Sequence, residues 1–418
     1  MSNTAPRHYL IVNAFGRSNR GDSVLLDQCI AEIRAVDPDA RISAAAFEGL
    51  DAVRAIHPGV DWSERIGNSA IRGPLGRLLS LAYLALAWAA TVPGFDWASR
   101  FLSAEQRRTV AAYRSADVVI SAPGGYIHDT NLAYVIALFH IMMGTRVGAR
   151  VILAPQSVGP LSSPIARKMA RAVLVHCDAL CVREGYSYDF LANELDLPRD
   201  RIIETGDSAF WDDHVDTDAE GVATALAEIG VSPGEAFIGA TVVDWTFPNL
   251  PEQTRLRQRY FEGMAQVIRN LHARFGLRTV LFNQVSSDLD AVREVARMAG
   301  DAALVNEVNH EPPILRAMIG RSECFIGTRF HSCIFAMMAF RPVVAISYLP
   351  KTAYIMEKLG LESDVVEINE FDAGRAEQLA IAKLDDRSGA SARVRLAVEH
   401  YRATQPQLRE VLLRARRP

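Results

Sequence analysis

Residues 325–351, FIGTRFHSCIFAMMAFRPVVAISYLPK, decide the fold class. Residues 324–327 read as a short apolar strand, 332–340 as an apolar helix and 342–347 as a second apolar strand. Neither strand alternates apolar with polar residues, so both faces of each are buried. A strand–helix–strand run of this kind makes the two strands parallel neighbours. Thr328, Arg329, Phe330 and His331 stand between the first strand and the helix. A helix N-terminus already favours an anion. A guanidinium and a titratable imidazole placed there suit negative ligands and proton transfer. Tyr348 and Lys351 follow the second strand, at a neighbouring strand end.

The same grammar runs outward through the chain. Residues 9–14 (YLIVNA), 41–47, 117–121 (DVVIS), 150–154 (RVILA) and 179–182 (ALCV) read as continuous apolar strands. Helical patterns at 23–36, 132–143 and from 186 separate them. The second half repeats this with strands at 236–243 and 278–282 and an amphipathic helix at 258–275, which Gly276 ends in a left-handed cap. Strands and helices in alternation indicate an α/β protein with parallel sheets covered on both faces. At 418 residues two domains fit. The acid-rich stretch 212–218 marks the expected boundary. It gives an N-terminal domain over 1–214, a C-terminal domain over 215–390, and a helix over 391–418 that packs back on the N-terminal domain.

Ligands of open parallel sheets bind beyond the C-terminal strand ends, and three more loops there carry reactive residues. In GRSNRGD (16–22), Gly16 and Gly21 admit close backbone approach, while Asp22 also reads as the cap of a helix from Ser23. In PGGYIHD (123–129), Gly124 and Gly125 turn the chain under a ligand and bring His128 and Asp129 to the sheet mouth. A carboxylate there can take a proton from an attacking hydroxyl; its alternative role is to cap the helix that follows. Arg183 directly follows the strand ALCV and suits bidentate recognition of phosphate or carboxylate, or pairs with Glu184 or Asp189.

Composition excludes several classes. Apolar residues are 49% and charged residues 22%, with a net charge of −4, which offers no basic field for nucleic acid. Five cysteines form no disulfide framework and suit a reducing compartment. Cys177 and Cys181, four apart, read as core packing because no second pair supports a metal site. The first residues, MSNTAPRHYLIVNAFG, run into a strand without a secretory pattern, so a cytoplasmic location is expected. Residues 78–94, LLSLAYLALAWAATVPG, are uncharged and flanked by Arg72, Arg77 and Arg100. Three readings stand for them: a buried core or oligomer-interface helix, a contact with the inner membrane face or a lipid-linked acceptor, or a short span.

Taken in order, N-x-G-D at 19–22, GG…HD at 124–129, V-R-E at 182–184 and G-T-R-F-H-S…P-V-V-x-I-x-Y…K at 327–351 resemble the polysaccharide pyruvyl transferase family over about residues 10–360. The resemblance implies a GT-B-like architecture, two Rossmann-like domains with parallel sheets facing across a cleft. It implies transfer of the enolpyruvyl group of phosphoenolpyruvate to a sugar of a surface polysaccharide or its precursor, leaving a pyruvate ketal and phosphate. No cofactor is implied beyond phosphoenolpyruvate as co-substrate. The family's acid falls on Asp129, its strand-end arginine on Arg183, and its arginine–histidine motif on Arg329 and His331. Phe330 stands where leucine is usual, and Arg20 where a small apolar residue is common. A donor with phosphate and carboxylate needs cations, for which Arg183, Arg329 and Lys351 are the candidates. His331 is expected to protonate the methylene carbon and Asp129 to act as base or to position the sugar. Two alternatives remain: a GT-B-type glycosyltransferase using a nucleotide sugar, and a non-catalytic member of the fold.

Overall fold

The computed structural model describes residues 6–16, 20–68, 73–129, 133–212, 219–248, 250–308 and 310–415. The chain forms two compact units, one of residues 1–208 with 405–418, the other of 209–404. The expected boundary at 214–215 lies outside the described residues.

The first unit is built on β1 (His8–Ala14), β2 (Arg41–Ala46), β3 (Asp61–Glu64), β4 (Val118–Ser121), β5 (Gly124–Ile127), β6 (Arg150–Val158), β7 (Ala179–Val182) and β8 (Ile202–Glu204). The spatial order is β3-β2-β1-β4-β6-β7-β8, with β5 paired to β6 off this path, and each pairing is parallel. The unbroken hydrophobicity of these strands follows from burial on both faces. Along β1, Tyr9 and Ile11 enter one core and Leu10 and Val12 the other. Cys177 belongs to one of these cores and Cys181 to the other, so both pack as core residues.

The second unit is built on β9 (Phe237–Thr241), β10 (Arg278–Phe282), β11 (Ala303–Asn306), β12 (Phe325–Gly327), β13 (Val343–Ser347) and β14 (Val365–Glu367). Their order, β11-β10-β9-β12-β13-β14, is again parallel throughout. Strands taken in chain order as one to six thus lie 3-2-1-4-5-6, the doubly wound arrangement. The order reverses between β9 and β12 here and between β1 and β4 in the first unit. Such reversals open a crevice at the C-terminal strand ends, which is where the singled-out loops emerge.

Several local readings change. The helix expected from Ser23 begins at Arg20, so Gly21 and Asp22 lie in its first turn rather than ahead of it. The run 391–416 is two helices, Arg387–Thr404 in the second unit and Leu408–Ala415 in the first. Pro406 separates them, because it lacks an N–H and its ring opposes continuation. The later helix packs on Arg20–Val36, where Glu32 accepts the Arg409 N–H at 2.8 Å. Residues 78–90 of the apolar run 78–94 belong to the helix Gly73–Ala90, which by length and composition is apolar enough to cross a membrane, and residues 91–94 form the turn after it. Its Gly76, Leu84, Ala87 and Ala90 are buried.

Candidate active site

In the second unit the site grows from the switch point. Gly327, at the end of β12, stands beside Thr241, at the end of β9. Thr241 Oγ1 accepts the N–H groups of Thr328 (3.0 Å) and Arg329 (3.2 Å) and lies 2.9 Å from Ser332 Oγ. Ser332 donates in turn to the Arg329 carbonyl at 2.6 Å. Thr328 is held by Tyr260 at 2.7 Å. These bonds fix the backbone where the chain leaves the sheet and enters the helix Phe330–Met338. A Cβ on Gly327 would overlap Cys333 Sγ, so the tight exit requires glycine.

Arg329 is the N-cap of that helix, and His331 lies in its first turn rather than before it. Arg329 is not a bare cation. Nε and Nη2 donate to the two carboxylate oxygens of Asp288, at 2.5 and 2.6 Å, and Nη1 reaches Tyr348 Oη at 3.5 Å. Burial opposes the charge on Arg329, but Asp288 outweighs it and holds the guanidinium above its usual range. Tyr348 Oη is pushed up by burial. Its ring lies 5.1 Å from Trp245. Lys351 Nζ sits 4.9 Å from the Phe330 ring centre, and the Phe330 and His331 rings meet edge-to-face with centres 5.1 Å apart. His331 is 7% exposed. Arg329, His331, Tyr348 and Lys351 therefore gather around one helix N-terminus. A recess of about 420 Å³ adjoins them, lined by Tyr348, Tyr354, Glu357, Glu367 and Asn369 among others.

In the first unit, Arg183 is 3% exposed and donates Nη1 to Asp207 at 2.9 Å and Nη2 to Ser157 at 2.5 Å. Asp207 is an ion-pair partner the sequence did not suggest, at 2.9 Å, and Glu184, which it did, stands at 4.0 Å. A Cβ on Gly125 would stand 3.2 Å from Nη2, so the guanidinium lies directly under the glycine pair. Gly124 is buried and Gly125 exposed. His128 and Asp129 follow β5 and are half-buried. Asp129 Oδ2 accepts the N–H of Ser163, which precedes the helix Pro164–Leu174, and residues 130–132, where its own following helix would start, lie outside the described residues. Gly21 is buried and Asp22 half-buried at the start of their helix, and residues 17–19 of that loop lie outside the described residues.

Sequence reasoning missed Asp288, Thr241, Asp207 and Ser157. Asp288 carried one usable signal, a position shortly after the apolar strand 278–282 in the loop NQVSSD. Among the described residues, no group of three or more His, Cys, Asp or Glu could hold a metal ion.

In overall fold the chain is similar to a glycosyltransferase from Rickettsia africae, at 10% identity and a TM-score of 0.62, covering 99% of this chain and 97% of that one. It is similar to a UDP-N-acetylglucosamine 2-epimerase at 18% identity and a TM-score of 0.60, with 97% and 98% covered. It is also similar to a UDP-GlcNAc 2-epimerase from Neisseria meningitidis, in a structure bound to UDP-GlcNAc, at 11% identity and a TM-score of 0.60, with 93% and 94% covered. Two parallel doubly wound sheets in a chain of this likeness define the GT-B fold class. Within that class, residues 19–350 match the model of the polysaccharide pyruvyl transferase family, and the chain belongs to that family. The match includes every singled-out site residue except Gly16 and Lys351.

Proposed function

We propose that the protein transfers the enolpyruvyl group of phosphoenolpyruvate to a saccharide hydroxyl, and that closure by a second hydroxyl yields a ketal and releases phosphate. The observation that carries this reading is the family match across the Arg329–His331 motif, on a helix N-terminus suited to an anion. Arg329 and Lys351 would hold the donor's negative groups, with Tyr348 orienting the guanidinium. His331 would deliver a proton to the methylene carbon, creating an electrophilic centre at the neighbouring carbon. Asp129, anchored through Oδ2 by the Ser163 N–H, would use Oδ1 to accept the sugar proton. Arg183, paired with Asp207 beneath Gly125, acts in this reading as the floor of the acceptor loop. The expected location is the cytoplasm, and no cofactor takes part.

A second donor, a nucleotide sugar, is favoured by the fold shared with UDP-sugar enzymes and by the recess beside Tyr348. Thermal unfolding separates the two. Phosphoenolpyruvate should raise Tm for the wild type and not for Arg329→Ala, because a ligand that binds only the folded state stabilises it. A shift with nucleotide sugars and none with phosphoenolpyruvate would replace the proposed donor.

A further inference from the structure

The helix Gly73–Ala90 and the turn after it leave an apolar face in solvent. Leu75, Leu78 and Leu81 are 58%, 64% and 57% exposed, and Phe95, Trp97 and Phe101 are 49%, 51% and 64% exposed. These are six of the thirteen large exposed hydrophobic side chains among the described residues, drawn from 27 consecutive positions. The three rings form one cluster, with Phe95 and Trp97 centred 6.3 Å apart and Trp97 and Phe101 6.2 Å apart. Soluble surfaces rarely leave such a patch uncovered without a use for it.

We propose that this face docks on the surface of an anionic lipid bilayer. Leu84, Ala87 and Ala90 are packed into the first unit's core, so the helix is committed on one side and cannot leave the fold to span. Only the outward side is available, which is the geometry of a helix lying in the interface plane. Charge selects the partner. Residues 73–101 carry only Arg77, Asp96 and Arg100, and Asp96 is ion-paired with Arg114. The rim therefore presents arginine, on a chain whose net charge is −4. A second copy docked by a two-fold axis would bring the same arginines against these, and residues 73–101 supply no acid other than the Arg114-paired Asp96 to meet them. Lipid phosphates supply the missing negative charge, and exposed aromatic rings suit the headgroup level. The helix follows β3, whose C-terminal end lies on the edge that bears the His128–Asp129 loop. Docking would bring that edge close to the bilayer, whichever donor the enzyme uses.

Co-sedimentation tests this with the full chain and vesicles of phosphatidylglycerol mixed with phosphatidylcholine, against phosphatidylcholine alone. Wild type should bind the anionic vesicles, more weakly at high salt. The double variant Leu78→Glu/Leu81→Glu should lose roughly tenfold or more in partitioning. Arg77→Glu/Arg100→Glu should lose the preference for anionic lipid. All four sites are exposed, so an unchanged Tm should accompany these losses. Failure of wild type to bind anionic vesicles overturns the proposal, as does unaltered binding by the leucine variant. A wild-type dimer that the leucine variant dissociates, with no vesicle binding, would assign the face to a second copy instead.

Discussion

Asp288→Asn is the most informative single change. Asp288 is 2% exposed at its side chain and Arg329 21%, joined by two short bonds. Removing one partner of a buried pair costs about 3–5 kcal/mol, since the other charge stays buried and uncompensated. Asparagine still accepts one bond and Arg329 keeps some solvent, so the expected loss is about 2–3 kcal/mol. Arg329→Met should cost about 3–4 kcal/mol, because it strands the more buried carboxylate. The double variant, Asp288→Asn/Arg329→Met, should lose less than the sum of the two, with a coupling of about 2 kcal/mol. Two units need not unfold together, so hydrogen exchange of amides in β9 and β12 is the suitable readout for the second unit. Additive single losses, or an Asp288→Asn loss below about 0.5 kcal/mol, would refute the reasoning that Asp288 and Arg329 compensate each other's burial.

Three other outcomes are expected. His140 is buried, with its pKa lowered to about 3 by burial and by nearby Arg65, against 6.5 when unfolded. Its contribution is complete above pH 6.5 and declines as pH falls toward 3, by about 2 kcal/mol between pH 6.5 and 5; urea unfolding of His140→Gln should show a flatter acid limb than wild type. Gly327→Ala should cost about 1–3 kcal/mol, because the new methyl overlaps Cys333 Sγ, and Cys333→Ala should restore part of that in thermal unfolding. Asp129→Asn retains an acceptor for the Ser163 N–H, so stability should change by less than about 1 kcal/mol, while transfer measured by phosphate release should fall roughly 10²–10⁴-fold. Equal turnover by Asp129→Asn would remove the carboxylate from the proposed proton transfer.

The strands with uninterrupted apolar runs were legible in the sequence, since burial on both faces leaves no polar position. Those it did not reveal, β3 (DWSE), β5 (GGYI), β8 (IIE), β11 (ALVN) and β14 (VVE), are as short as β4, β7 and β12, and in β3, β5, β8 and β14 a charged residue or paired glycines break the apolar run. The cluster Arg329, His331, Tyr348 and Lys351 was readable because one strand–helix–strand unit carries all four, and a parallel unit must bring its strand ends to one edge. Asp288 and Asp207 were not readable. Each lies 41 and 24 residues from its arginine, and nothing local to an acid says which cation it will meet. Local pattern thus set the layers and the edge on which the candidate site residues lie. Long-range packing chose the charge partners, Asp288 for Arg329 and Asp207 for Arg183, because a buried guanidinium must be compensated by a carboxylate that the fold supplies.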